Sequence, residues 1–140
     1  MLPFGALGAK QIALTFDDAP VADSPHSTSV ARTKTLIKKL KSLSIPEVMI
    51  FANPCKGGDR SAAMAQLKLY IEAGHRIANH TCAHPRLDDV GSSKFIADIQ
   101  EAEKWLSPYM GEKKFFRYPY LNEGKDSRTR DRVREWLAQA

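Results

Sequence analysis

Three short polar clusters carry the residue types that could do chemistry: Asp17-Asp18, His80-Thr81-Cys82-Ala83-His84-Pro85 and Arg117-Tyr118-Pro119-Tyr120. His80 and His84 are four apart, so in a helical turn or a tight loop both rings can face one point. Imidazole nitrogen suits zinc and several neighbouring transition metals. A carboxylate as third ligand would complete a two-histidine, one-carboxylate site with open positions for water. Such a metal lowers the pKa of a water it holds towards ~7. Adjacent residues leaving a strand point in different directions. One of Asp17 and Asp18 can therefore bind metal while the other takes the water's proton as general base. Arg117 can hold a carboxylate through a charge-assisted fork, and a backbone N–H after the rigid Pro119 can stabilise an oxyanion. Each cluster alone has a plainer meaning: surface histidines, the turn sequence Asp17-Asp18-Ala19-Pro20, a strand end with a structural salt bridge. Their joint presence is what points to a site.

The elements that must position these clusters are legible in the apolar periodicity. Gln11 to Phe16 is a short apolar run that suits a buried strand, and residues 19–27 are loop chemistry. Thr28 to Leu43 places Val30, Leu36, Ile37, Leu40 and Leu43 at helical spacing with lysines on the other face. Pro46 ends that helix, and Val48 to Ala52 reads as the second strand. Asp59 or Ser61 caps a helix ending at Gly74, and Ile77-Ala78 forms a third strand core. Ser92 or Ser93 caps a helix to about Leu106, Lys114 to Arg117 reads as a fourth strand, and residues 125–138 as a last helix on Val133, Trp136 and Leu137. Alternating strands and helices predict an α/β architecture with parallel strands, whose carboxyl ends gather the ligand site. The three polar clusters fall at the ends of the first, third and fourth strands.

Composition narrows the function classes. The 140 residues are one domain's worth, with 43% hydrophobic and 26% charged residues. The net charge of +5 concentrates in Lys34 to Lys41 and Arg128 to Arg134, which read as solvated helix faces, so no nucleic-acid partner is expected. No apolar run approaches a membrane span. Met1 to Ala9 is mildly apolar and too short for a complete signal peptide, so it reads as the stub of a removed signal or a short native arm. The two cysteines, Cys55 and Cys82, form no CxxC pair. One disulfide and two free thiols both remain open.

Thr15-Phe16-Asp17-Asp18, His80-Thr81-Cys82-Ala83-His84-Pro85 and Arg117-Tyr118-Pro119-Tyr120 together resemble the first three motifs of the polysaccharide deacetylases, the NodB-homology domains of carbohydrate esterase family 4. The likeness runs from about Lys10 to Gly124. It implies a partial, distorted (β/α) barrel and removal of N-acetyl groups from peptidoglycan or chitin-type sugars, or O-acetyl groups from xylan. It implies Asp17 as catalytic base, Arg117 as the residue that orients it, and the Tyr120 N–H as oxyanion donor. Asp18, His80 and His84 would hold one divalent metal, usually zinc, with cobalt, nickel or manganese as alternatives. Thr81 resembles the residue that steadies the loop between the histidines. The implied partner is an acetylated carbohydrate polymer, and the implied location is outside the cytoplasm or at the cell envelope.

The sequence also departs from that pattern. Ala19 stands where the family usually has glycine, and Cys82 is a conceivable fourth ligand. The fourth and fifth motifs of the family, the last of which supplies an acid histidine, have no counterpart here; His26 and His75 occupy no matching position. The sequence therefore reads as a truncated catalytic domain with an open edge after the fourth strand, or as a chain that pairs with another copy to cover it. A binding module that holds zinc and carbohydrate without turnover is the alternative function. Asn79 and Tyr118 are candidates to line the substrate groove.

Overall fold

The computed structural model describes residues 12–56 and 59–140. Strands β1 (Thr15–Ala19), β2 (Met49–Ala52) and β3 (Arg76–Asn79) form a parallel sheet in that order. Four helices accompany them: α1 (Ser29–Ser42), α2 (Arg60–Glu72), α3 (Leu87–Leu106) and α4 (Ser127–Leu137). The sheet is open, and its strands share one direction. This is the α/β arrangement that the alternating pattern predicts.

Local chemistry fixes the helix ends. The Thr28 side chain accepts from the Ala31 N–H at the start of α1, and Asp59 accepts from the Ser61 and Ala62 N–H groups at the start of α2. Asp126 does the same for α4 through Thr129. Each satisfies donors that the first helical turn leaves unpaired. Gly74 follows α2 at φ 86°, a backbone conformation that glycine reaches without a steric penalty.

One core lies between the sheet and the helices, where Val48, Ile50, Ala52 and Ile77 meet Leu40, Leu67, Tyr70 and Leu106. A second joins α3 to α4 through Leu87, Phe95, Ile99 and Val133, with Phe116, Tyr118 and Trp136 against it. The lysines of α1 and Arg128, Arg132 and Arg134 of α4 are exposed, as solvated faces should be.

The structure departs from the sequence-based expectations in three elements. The first strand begins later than expected and includes both aspartates; Gln11 lies outside the described residues, as do Met1 to Ala9. Helix α3 gains a turn, Leu87 to Val90, before Gly91 interrupts it at φ 74° and ψ 165°. Leu87 is fully buried, so core packing recruits this turn where capping rules place the start at Ser92 or Ser93. The fourth strand contracts to one parallel bridge, Asn79 to Phe116. The Asn79 N–H donates to the Phe115 carbonyl and the Arg117 N–H to the Asn79 carbonyl, and pairing ends there. Among the described residues no helix is long and apolar enough to cross a membrane.

Candidate active site

The site forms at the carboxyl end of the sheet. In β1 the register runs Asp17 opposite Phe51 and then Ala19 opposite Ala52, which leaves Asp18 as an unpaired bulge residue at φ 66°. A bulge re-aims a side chain that strict alternation would send to the other face. Both aspartates thereby reach the same group of histidines. The positive φ falls on Asp18, and the buried Ala19 that follows needs no glycine-like freedom.

The histidine loop is built from buried polar contacts. Asn79 Oδ1 accepts from the Thr81 N–H at 2.8 Å, and Thr81 Oγ1 accepts from the His84 N–H at 3.1 Å. Thr81 and His84 both sit in the left-handed region, at φ 66° and 63°. Asp98 of α3 accepts through Oδ2 from the Cys82 and Ala83 N–H groups at 2.8 and 3.0 Å. Asn53 donates to the His80 and Thr81 carbonyls. With these backbone groups satisfied, the two rings are presented from a loop in which His80, Thr81, Cys82 and His84 are buried and Ala83 is exposed.

Ring orientation follows from the neighbours. His80 Nδ1 lies 2.7 Å from the Arg117 carbonyl oxygen. A carbonyl can only accept, so Nδ1 carries the proton and Nε2 is left with its lone pair. His84 Nε2 lies 3.2 Å from Asp18 Oδ1. One ligand atom from each of Asp18, His80 and His84 lies within 4.8 Å of the others. Two imidazole nitrogens and a carboxylate oxygen that converge so closely fit a divalent ion. Burial holds the His84 imidazole below its ordinary pKa, against the opposing pull of Asp18, and this favours the neutral, ligating form. Burial pushes Asp18 up, but hydrogen bonding from Lys56 and the charges of His84, Lys56 and His80 leave it below the usual carboxylate value.

Arg117 serves both halves of the site. Its carbonyl orients His80, and its guanidinium donates to Asp17 Oδ1 at 2.6 Å and to Thr15 Oγ1 at 2.9 Å. The guanidinium carbon stands 4.0 Å from the centre of the Phe51 ring, which braces it. Asp17 Oδ2 points towards His80 Nε2 at 3.9 Å. Asp17 is thus a carboxylate with one oxygen held and the other turned to the ligand cluster. Tyr120, at φ 57°, packs its ring on His84 with centroids 4.5 Å apart and remains 58% exposed at the mouth.

A disulfide joins Cys55 to Cys82. Of the two alternatives the sequence left open, the structure has the disulfide, and Cys82 has no thiolate to offer as a fourth ligand. Asn79 is also reassigned: its side chain is spent on the Thr81 N–H and the Ile99 carbonyl. With Tyr118 it borders a cavity of about 310 Å³ beside Phe116 and Trp136, away from the aspartates. His26 is exposed on the 20–28 loop, and His75 lies at the opposite end of β3 from His80. Sequence reasoning missed Asn53, Lys56 and Asp98, whose only signals were polar residues at a strand end, beside a cysteine and mid-helix.

The polysaccharide deacetylase family model matches residues 5–137. The chain belongs to the polysaccharide deacetylase family. A peptidoglycan-N-acetylglucosamine deacetylase of Bacillus cereus is 28% identical over 118 residues, which cover 83% of this chain and 38% of that protein. This polysaccharide deacetylase chain thus spans well under half the length of that curated relative. Among solved structures, a family 4 carbohydrate esterase from Streptomyces lividans, in complex with acetate, matches with a TM-score of 0.67 at 21% identity, over 91% of this chain and 57% of that one. A family 4 pseudoenzyme from Bacillus anthracis matches with a TM-score of 0.66 at 12% identity, over 91% of this chain and 41% of that one. At such identities these structures establish a shared fold.

Proposed function

We propose that this chain carries the metal-dependent hydrolytic centre of a deacetylase that removes acetyl groups from an N-acetylated (or O-acetylated) polysaccharide such as peptidoglycan. The observation that carries the reading is the convergence of Asp18, His80 and His84, with ligand atoms within 4.8 Å of one another, beside an arginine-held Asp17. Asp18 and the two Nε2 atoms would hold the ion, zinc in this reading. A divalent ion held there would supply Lewis-acid polarisation of the acyl carbonyl and the attacking water.

Asp17 takes the proton of that water as general base. Arg117 keeps its carboxylate aimed, and the Arg117 carbonyl keeps His80 in the tautomer that ligates. The Tyr120 N–H, after Pro119, is the oxyanion donor in this reading. An acetylated glycan is the partner, and the Bacillus cereus relative's name favours N-acetylglucosamine as the sugar. The Cys55–Cys82 disulfide supports an oxidising location outside the cytoplasm. A second copy is the partner proposed for the sheet edge at the Phe116 bridge, because exposed strand edges favour pairing with another chain. Light scattering would show it as a dimer, and a stable monomer would remove it.

The deciding experiment measures acetate release from an N-acetylglucosamine oligomer by the zinc-supplemented protein. Chelation should abolish release, and Asp17→Asn should lower the rate by about 10²–10⁴-fold. Stoichiometric zinc without acetate release would favour a binding module instead.

A further inference from the structure

One contact at the site belongs to none of these roles. Lys56 Nζ lies 2.9 Å from Asp18 Oδ1, the same oxygen that His84 Nε2 approaches at 3.2 Å. An ammonium has three donors and no lone pair, so it cannot ligate a cation. It can only satisfy the carboxylate itself or repel a cation that does so.

The lysine is stationed there by the chain around it. Asn53, fully buried, donates its side-chain amide to the His80 and Thr81 carbonyls. The Cys55 N–H donates to the Cys82 carbonyl at 3.1 Å, and the Cys55–Cys82 disulfide crosses the same seam. The turn carrying Lys56 is therefore stitched to the loop between the two histidines at three points. Only the lysine's own side chain, 43% exposed, is free to swing.

We infer that Lys56 is a built-in competitor for the metal ligand Asp18, a residue that weakens and makes exchangeable the hold on the ion without touching the reacting atoms. This rests on the reading of Asp18, His80 and His84 as metal ligands. The ammonium would compete with a divalent ion for the charge of the Asp18 carboxylate. Binding the ion costs the Lys56–Asp18 pair and leaves a positive charge on a short tether nearby. Both effects weaken binding, and both are Coulombic at a partly exposed position, so salt must screen them.

The test is zinc affinity, read by competition with a chromophoric chelator, for the full chain and for Lys56→Met and Lys56→Arg. Measurements are made at about 0.02 M and about 0.5 M salt. Lys56→Met should bind zinc about tenfold more tightly than wild type at low salt, with the gap narrowing at high salt. Lys56→Arg, which keeps the charge, should stay near wild type. Melting curves check that the variants fold. Equal or weaker zinc binding by folded Lys56→Met would overturn the inference while leaving the metal site intact. A tightening insensitive to salt would also overturn it, because it would report packing and not charge. Failure of the wild-type chain to bind zinc would sink the metal reading and this inference together.

Discussion

Arg117 shows how much one residue can be asked to do. Its backbone carbonyl fixes the His80 tautomer and its guanidinium fixes Asp17, so substitution separates two functions that wild type joins. Arg117→Lys keeps the carbonyl and the charge but loses the planar guanidinium, whose Nη1 bridges Asp17 and Thr15, and its packing over Phe51. Zinc affinity should be unchanged while kcat falls about 10–100-fold, a split that steady-state kinetics beside chelator competition would show. If zinc affinity fell as well, the guanidinium would be holding the ligand loop and not only the base. At this scale the sequence was most informative. Asp17, Asp18, His80, His84 and Arg117 could be picked out because unusual residue types stood at predicted strand ends. Asp98 could not, because a mid-helix aspartate is usually solvated, and its service to the Cys82 and Ala83 N–H groups exists only once α3 packs beneath the loop.

Among the elements, the link between the β2–α2 connection and the histidine loop stands out. Cys55 and Cys82 are 27 residues apart, and closing a loop of that length removes conformational freedom from the unfolded chain. The double variant Cys55→Ser with Cys82→Ser should lose about 3 kcal/mol of stability in denaturant unfolding. A loss near zero would mean that the Asn53 contacts and the Cys55 N–H bond hold the seam unaided. The pairing was not legible in sequence, since spacing alone cannot bring two Cα atoms within bridging distance. Helices α1, α2 and α4 were legible because an apolar stripe runs along each, and at α2 a cap agrees with it. The fourth strand was misread because Lys114 to Arg117 has strand-like composition but makes only one bridge with β3. The bulge at Asp18 was invisible too, as no residue type announces a register shift.

For the molecule as a whole, acid sensitivity should arise partly at the end of the sheet remote from the site. His75 is buried, neither ring nitrogen has a hydrogen-bond partner among the described residues, and burial lowers its pKa against a weaker opposing pull from Glu47. His75 lines a cavity that Lys41 and Glu72 also border. Below the ordinary histidine value of 6.5 the unfolded chain takes up a proton that the folded chain refuses, so stability falls as pH falls through that value towards the lower folded one. His75→Gln should melt with a flatter pH dependence than wild type between about pH 7 and about pH 5. An unchanged slope would assign the acid sensitivity to other groups.

The left-handed residues described at the site have a consequence for how this protein can change. Among the described residues, six other than glycine have positive φ, and four of them are Asp18, Thr81, His84 and Tyr120. Such conformations cost of order 1–3 kcal/mol each and persist only when their surroundings over-determine them. The chain therefore keeps much of its backbone tension where its chemistry is. Glycine would relax any of these four positions and, in the same stroke, erase a ligand, the Thr81 hydroxyl that holds the His84 N–H, or the Tyr120 ring against His84. Selection for robustness alone would wear the site away first, so its persistence in a lineage would be a record of use.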